Sequence, residues 1–318
     1  MNKKNVAYLF PGQGAQYSGM AVDLLSSNAV KKLFDTASEI FGKDVKELLQ
    51  SGDDTLRRTD VSQPVITAAN LAAAAFLGEQ GFSPAACAGF SLGEYSALVY
   101  SGVLETAECL RLVKIRGEVM QKTSDRIREA ADAGGAPGMA AVVGIDVRQL
   151  EELIAQWAGA GLKDLYAANF NSQKQLVVSG TAAALAEAEI RFKEAGAKRV
   201  IRLQVAGPFH SPLMAEAAEA FRPALEAAAF RDPVIPVFSN VTGKLIPSGE
   251  EAKKLMLLQI TSPVRWIEEE ALVAAAGIEA CLEAGPGRVL QGLWKELKNE
   301  IPVFAAGTAE DISKIGIS

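Results

Sequence analysis

The sequence predicts an α/β fold: a parallel, doubly wound sheet carrying a small βαββαβ insert. Two patterns support this. Apolar strands run repeatedly into glycine turns and then into helices. The middle of the chain abandons that rhythm for a strand–helix–strand–strand–helix–strand order.

The first unit is the strand Val6–Phe10, the turn Pro11-Gly-Gln-Gly14 and a segment from Ala15. The second is Ala86–Phe90, the turn Ser91-Leu-Gly93 and a helix over Glu94–Tyr100. A third copy reads Ile278–Ala284, Gly285-Pro-Gly287 and Arg288–Leu297, and a further strand, Val234–Ser239, ends at Asn240. Ligands of such sheets sit at the carboxyl ends of the strands, so the three glycine turns are expected to face one cleft. Arg126–Pro137, charged and then rich in Ala and Gly, reads as a linker. After it come strand Met139–Val143, helix Val147–Trp157, strands Leu165–Asn169 and Gln175–Ser179, helix Ala182–Ala195 and strand Arg199–Val205. This is the ferredoxin-like order. It divides the chain into a large domain, 1–127 and 205–318, and an inserted small domain, 128–204.

Composition narrows the function. The 318 residues suffice for two domains and a sizeable core. A balance of 32 Lys+Arg against 38 Asp+Glu, −6 overall, argues against nucleic-acid or membrane-surface binding. The longest apolar run, Val65–Leu77, is too short for a membrane helix and contains Thr67 and Asn70. No basic segment followed by an apolar one opens the chain, and Cys87, Cys109 and Cys281 are odd in number and widely spaced, so a reduced, cytoplasmic protein is expected. There is one histidine, His210, and no CxxC, which leaves no zinc site of the usual kinds. Neither a metal nor a bound cofactor is expected.

Gly89-Phe-Ser-Leu-Gly93 matches G-x-S-x-G, the sharp strand-to-helix turn that exposes a nucleophilic serine. A helix N-terminus merely lined by glycine would read the same, but the flanking strand and helix favour a nucleophile at Ser91. Such a serine needs a base and oxyanion donors. His210, in Gly207-Pro-Phe-His-Ser-Pro-Leu213, lies where the chain re-enters the large domain and is the sole imidazole. The backbone N–H of Leu92 is one natural donor, and Gln13 in the first glycine turn can supply a second. A phosphate loop is disfavoured there, because Tyr17 breaks G-x-G-x-x-G and no G-K-[ST] follows. No acid claims the third triad place: Glu94 could simply favour its helix N-terminus. A carbonyl could orient His210 instead, with Gln259 and Asn240 as candidates; Asn240 is also read as substrate-binding. Arg116 is either a surface ion pair or a fork that grips a substrate carboxylate.

The ordered set Phe10-Pro-Gly-Gln-Gly-Ala-Gln16, Gly89–Ser96, Arg116-Gly, Phe209-His-Ser211, Ser239-Asn-Val-Thr-Gly243 and Gly285-Pro-Gly287 closely resembles the malonyl-CoA:acyl carrier protein transacylases of fatty-acid synthesis, and the related acyltransferase domains of polyketide synthases. The resemblance runs from about residue 6 to 305. It implies an α/β-hydrolase-like large domain with a ferredoxin-like insert. It implies Ser91 as acyl-accepting nucleophile, His210 as general base and acid, Gln13 and Leu92 as oxyanion donors, Arg116 as the malonyl-carboxylate ligand, and the Gln259 carbonyl as the group orienting His210.

Phe209 resembles the malonyl-selective pattern, a bulky ring that could reject a methyl branch by about 1–3 kcal/mol. The family often has histidine before the nucleophile, where this chain has Phe90. The implied reaction takes malonyl-CoA, releases CoA and loads an acyl carrier protein. Arg191, Lys193, Lys198, Arg199 and Arg288 are candidates for docking that acidic partner. A monomer is expected. A serine thioesterase, a polyketide-type acyltransferase and a non-catalytic docking component are the competing readings.

Overall fold

A computed structural model describes residues 1–131 and 135–315. It is a mixed α/β protein with two four-stranded sheets. The first contains β1 (Val6–Phe10), β2 (Pro84–Gly89), β7 (Ala280–Glu283) and β8 (Val303–Ala305), in the order β2-β1-β7-β8 and parallel throughout. β1 is buried at every residue because both its faces are covered. Val6, Tyr8 and Phe10 pack on one side, under the helices Asn28–Phe41, Thr59–Glu79 and Thr106–Glu129. Ala7 and Leu9 pack on the other, with Trp266 of helix Trp266–Ala275 and Leu290 of helix Val289–Glu296.

The second sheet contains β3 (Gly138–Val143), β4 (Leu165–Ser172), β5 (Gln175–Gly180) and β6 (Arg199–Arg202), ordered β4-β5-β3-β6 with every pairing antiparallel. Helices Val147–Gly159 and Ala182–Glu194 cover it, and Leu150 and Phe192 from them pack with Leu176 of β5 in a core of its own. Ala168 and Phe170 in β4 bond Val264 across a single parallel bridge. This ties the second sheet to the loop before helix Trp266–Ala275.

Four expectations need correction. The strand read over Val234–Ser239 shrinks to bridges at Val237 and Phe238, because Pro233 and Pro236 carry no N–H for a ladder. No helix begins at Ala15: Gly14, Gly19 and Ala21 hold left-handed φ angles, and the first α-helix starts at Asn28. The linker does not begin at Arg126. Helix Thr106–Glu129 continues through it, with Arg126 paired to Glu216 and Arg128 to Asp125, so the 127/128 boundary falls in that helix's last turn. The linker's residues 132–134 lie outside the described residues. Finally, the apolar run Val65–Leu77 belongs to a 21-residue helix, Thr59–Glu79, long and apolar enough to cross a membrane by length and composition. Most of it is buried between the sheet and helix Thr106–Glu129, so its apolar character serves the core of this fold.

Candidate active site

The site is assembled where β1 and β2 end. The main chain leaving β2 turns so tightly that Ser91 takes a left-handed φ of 50°, a conformation that side chains other than glycine rarely adopt. The turn closes only with glycine on both sides. A methyl group on Gly93 would overlap the Phe10 carbonyl, and one on Gly89 would overlap the backbone of Gly93 and Glu94. That is the steric reason behind the G-x-S-x-G spacing.

Ser91 Oγ lies 2.7 Å from His210 Nε2. His210 is also left-handed, with φ 56°, and is 4% exposed. Its Nδ1 faces two carbonyls, Gln259 O at 3.0 Å and Ser262 O at 3.2 Å. A carbonyl can only accept, so Nδ1 carries the proton and donates to them. Nε2 therefore presents its lone pair to the Ser91 hydroxyl. Burial, followed by the nearby Arg116 cation, pushes the imidazole down to about 4, while the two carbonyls pull the other way. A neutral base is thus in place at neutral pH. The N–H groups of Gln13 and Leu92 make no hydrogen bond within the protein among the described residues, and both residues line the cavity over Ser91. They are free to bind a developing oxyanion.

That cavity, of about 220 Å³, also holds Arg116, Phe90 and Phe209. Arg116 is 1% exposed. Its guanidinium lies 5.5 Å from the Tyr95 ring centre, and Nη2 donates to Gln259 Oε1 at 3.1 Å. Its Nε–H has no acceptor among the described residues. The surface ion pair weighed from sequence is thus replaced by a buried cation with donors to spare. Phe90 stacks edge-on against Trp266 at 5.4 Å.

Asn240 is the site residue that the structure moves. It is fully buried behind the serine turn, where Nδ2 donates to Gly89 O (2.7 Å) and Glu269 Oε1 (2.8 Å). It is not among the residues lining the cavity and makes no hydrogen bond to His210; its bonds brace the serine turn. The second sheet contributes cavity residues absent from the sequence reading, Asn169, Asn171 and Gln175, and helix Thr59–Glu79 contributes Gln63. Ser262 was also missed, because a backbone acceptor leaves no residue-type signal. Among the docking candidates, Arg191, Lys193 and Arg288 each carry a carboxylate partner, Glu187, Glu189 and Asp311. No group of metal-ligating side chains occurs among the described residues.

A parallel sheet presenting a serine–histidine pair beneath two free amides defines a centre for acyl transfer through serine. The chain belongs to the acyl transferase domain family, whose model matches residues 7–306. It is 38% identical over 309 residues to the malonyl CoA-acyl carrier protein transacylase of Bacillus subtilis, covering 96% of this chain and 95% of that one. Among solved structures it is similar to the MCAT from Streptococcus pneumoniae, with a TM-score of 0.88, 34% identity and coverage of 97% and 98%. A type II PKS acyl-carrier protein in complex with its malonyl-transacylase gives a TM-score of 0.88 at 35% identity, covering 98% of each chain.

Proposed function

We propose that this chain moves a malonyl group from malonyl-CoA to the phosphopantetheine thiol of acyl carrier protein in fatty-acid synthesis. The observation that carries this reading is the buried Arg116 in the same cavity as the Ser91–His210 pair. A guanidinium removed from water requires a partner anion, and a substrate's free carboxylate supplies one. Relatives named for malonyl transfer to acyl carrier protein support the choice of substrate.

The steps follow from the geometry. His210 Nε2 takes the Ser91 proton as Oγ bonds to the thioester carbon. The Gln13 and Leu92 amides hold the oxyanion, each such donor being worth about 3–4 kcal/mol. The tetrahedral species expels CoA thiolate, which takes the proton from His210. The carrier thiol then gives its proton to His210, attacks the malonyl-serine ester, and Ser91 recovers its hydrogen. Phe209 narrows the cavity against branched acyl groups. No metal or bound cofactor enters any step.

In this reading residues 128–204 form a ferredoxin-like insert in an α/β-hydrolase-like domain built from 1–127 and 205–318. The β4-β5-β3-β6 order supports that division. The protein acts as a cytoplasmic monomer, away from membranes and nucleic acid, and docks its acidic carrier through Lys198, Arg199, Arg191, Lys193 and Arg288. A carrier protein of polyketide synthesis is the second reading, favoured by the similarity to the type II PKS complex.

Intact-mass analysis after incubation with a panel of acyl-CoAs tests the proposal, followed by transfer to holo carrier proteins of each kind. Malonyl-CoA should add one malonyl group, and Ser91→Ala should add none. A malonyl adduct on Ser91→Ala, or release of free malonate as fast as transfer to the carrier, overturns it.

A further inference from the structure

We propose that Glu94 is a positioning residue for acyl transfer: its carboxyl group locks the Gln259 side chain, and through Gln259 it fixes both the carbonyl behind His210 and the amide oxygen that holds Arg116. This rests on the acyl-transfer reading above. Glu94 stands three residues after Ser91, in the first turn of helix Gly93–Tyr100. An acid there would ordinarily lie in solvent and favour the helix N-terminus. Glu94 is instead fully buried, and its carboxyl accepts from partners far along the chain: Gln259 Nε2 at 2.5 Å and the Asn240 N–H at 3.4 Å.

Gln259, also fully buried, uses every part of itself. Nε2 donates to Glu94 and to Ser91 O (3.0 Å), Oε1 accepts from Arg116, and its main-chain carbonyl accepts from His210. Serine turn, base and cation thus meet on one residue, the base at its main-chain carbonyl and the other two at its side-chain amide, and Glu94 makes that amide's shortest bond. The other charged or titratable groups around Glu94 are Arg116 and Tyr95 on one side and, across Asn240, Glu269. Among the described residues Glu94 Oε1 has no hydrogen-bond partner. Burial raises the carboxyl to about 8. A side chain kept merely to fill volume would not carry the desolvation cost of a carboxyl group. The hydrogen bond to Gln259 is what an apolar residue could not provide.

The test uses a fluorophosphonate probe, which reads the Ser91–His210 pair without any acyl substrate, alongside malonyl loading, both followed by intact mass. Glu94→Met keeps the volume and removes the acceptor; Glu94→Gln keeps an acceptor oxygen and removes the ionisable group. The Met variant is expected to label Ser91 about 10- to 100-fold more slowly, the loss typical of a displaced catalytic group. The Gln variant is expected within about threefold of wild type. If Glu94→Met fails to fold, Gln259→Met removes the same bond from its other end and should show the same loss. Wild-type labelling rates in the Met variant, or in Gln259→Met, overturn the proposal, as does a Gln variant as slow as Met. A wild-type protein that is phosphonylated at Ser91 yet takes up no malonyl group overturns only the substrate reading, and the labelling rates still decide Glu94.

Discussion

Replacing Arg116 by methionine separates recognition of the carboxylate from the chemistry at Ser91. Methionine keeps much of the side chain's length and apolar contact and removes the guanidinium. In the free enzyme Arg116 gives Nη2 to Gln259 and leaves Nε–H without an acceptor. Donors therefore remain for a malonyl carboxylate in a cavity where water competes poorly. A charge-assisted hydrogen bond contributes about 1.5–3 kcal/mol, so a two-point grip is worth about 3–6 kcal/mol. At about 1.4 kcal/mol per tenfold, kcat/KM for malonyl-CoA should fall roughly 10²- to 10⁴-fold. Acetyl-CoA, which offers no carboxylate, should change by less than about fivefold, because Gln259 keeps its bonds to Glu94 and Ser91 O. Quenched-flow loading followed by intact mass measures both rates. A malonyl loss below about fivefold, or an equal loss for acetyl-CoA, would show that Arg116 supports the site without selecting its substrate.

The base should stay active in mild acid. With His210 held down to about 4, Ser91 loading at pH 5.5 should remain within about twofold of that at pH 7.5, whereas an ordinary imidazole would lose about tenfold. The same depressed value makes the histidine's contribution to stability complete above its unfolded value near 6.5 and progressively lost as pH falls towards about 4, which an acid melting series would detect. Glu270 behaves oppositely. Burial raises it to about 8, so the stability linked to its proton is present below its unfolded value near 4.5 and lost as pH rises through about 8. Glu270→Gln should therefore raise Tm relative to wild type at pH 8.5 and leave it unchanged at pH 4. Gly93→Ala should cost about 3 kcal/mol and abolish loading, since its methyl group meets the Phe10 carbonyl; a stable, active variant would remove the steric account of the serine turn.

The parts of the site that were legible in sequence are those set by sterics or by residue scarcity. Two glycines around Ser91 mark the turn because no other residue fits, and a single histidine names its own role. The parallel strands were legible because burial on both faces leaves an unbroken apolar run, as in β1. The bracing bonds of Asn240 were not legible, because an amide beside a strand end can serve a ligand or a backbone carbonyl, and its bonds to Gly89 and Glu269 come only from the packing. The Ser262 carbonyl carries no side-chain signature. The strand over Val234–Ser239 failed where Pro236 removed a donor, a local rule that outranks apolar composition. Glu94 sits in a helix's first turn, where carboxylates are commonplace, and nothing in its neighbours announces that the turn is buried.

Carbonyls in the place of a triad acid suit a cavity that holds Arg116. A carboxylate behind Nδ1, in a dry cavity already holding a buried guanidinium, would be drawn to that cation and would repel a substrate carboxylate approaching it. The carbonyls of Gln259 and Ser262 hold the imidazole in the same tautomer with no net charge. Burial keeps the nearest acid, Glu94, largely protonated at neutral pH, so it can accept the Gln259 bond without cancelling Arg116. The site thus retains one uncompensated positive charge within reach of the nucleophile. That charge is what makes a substrate ending in a carboxylate fit and an uncharged acyl group leave a buried cation unpaired.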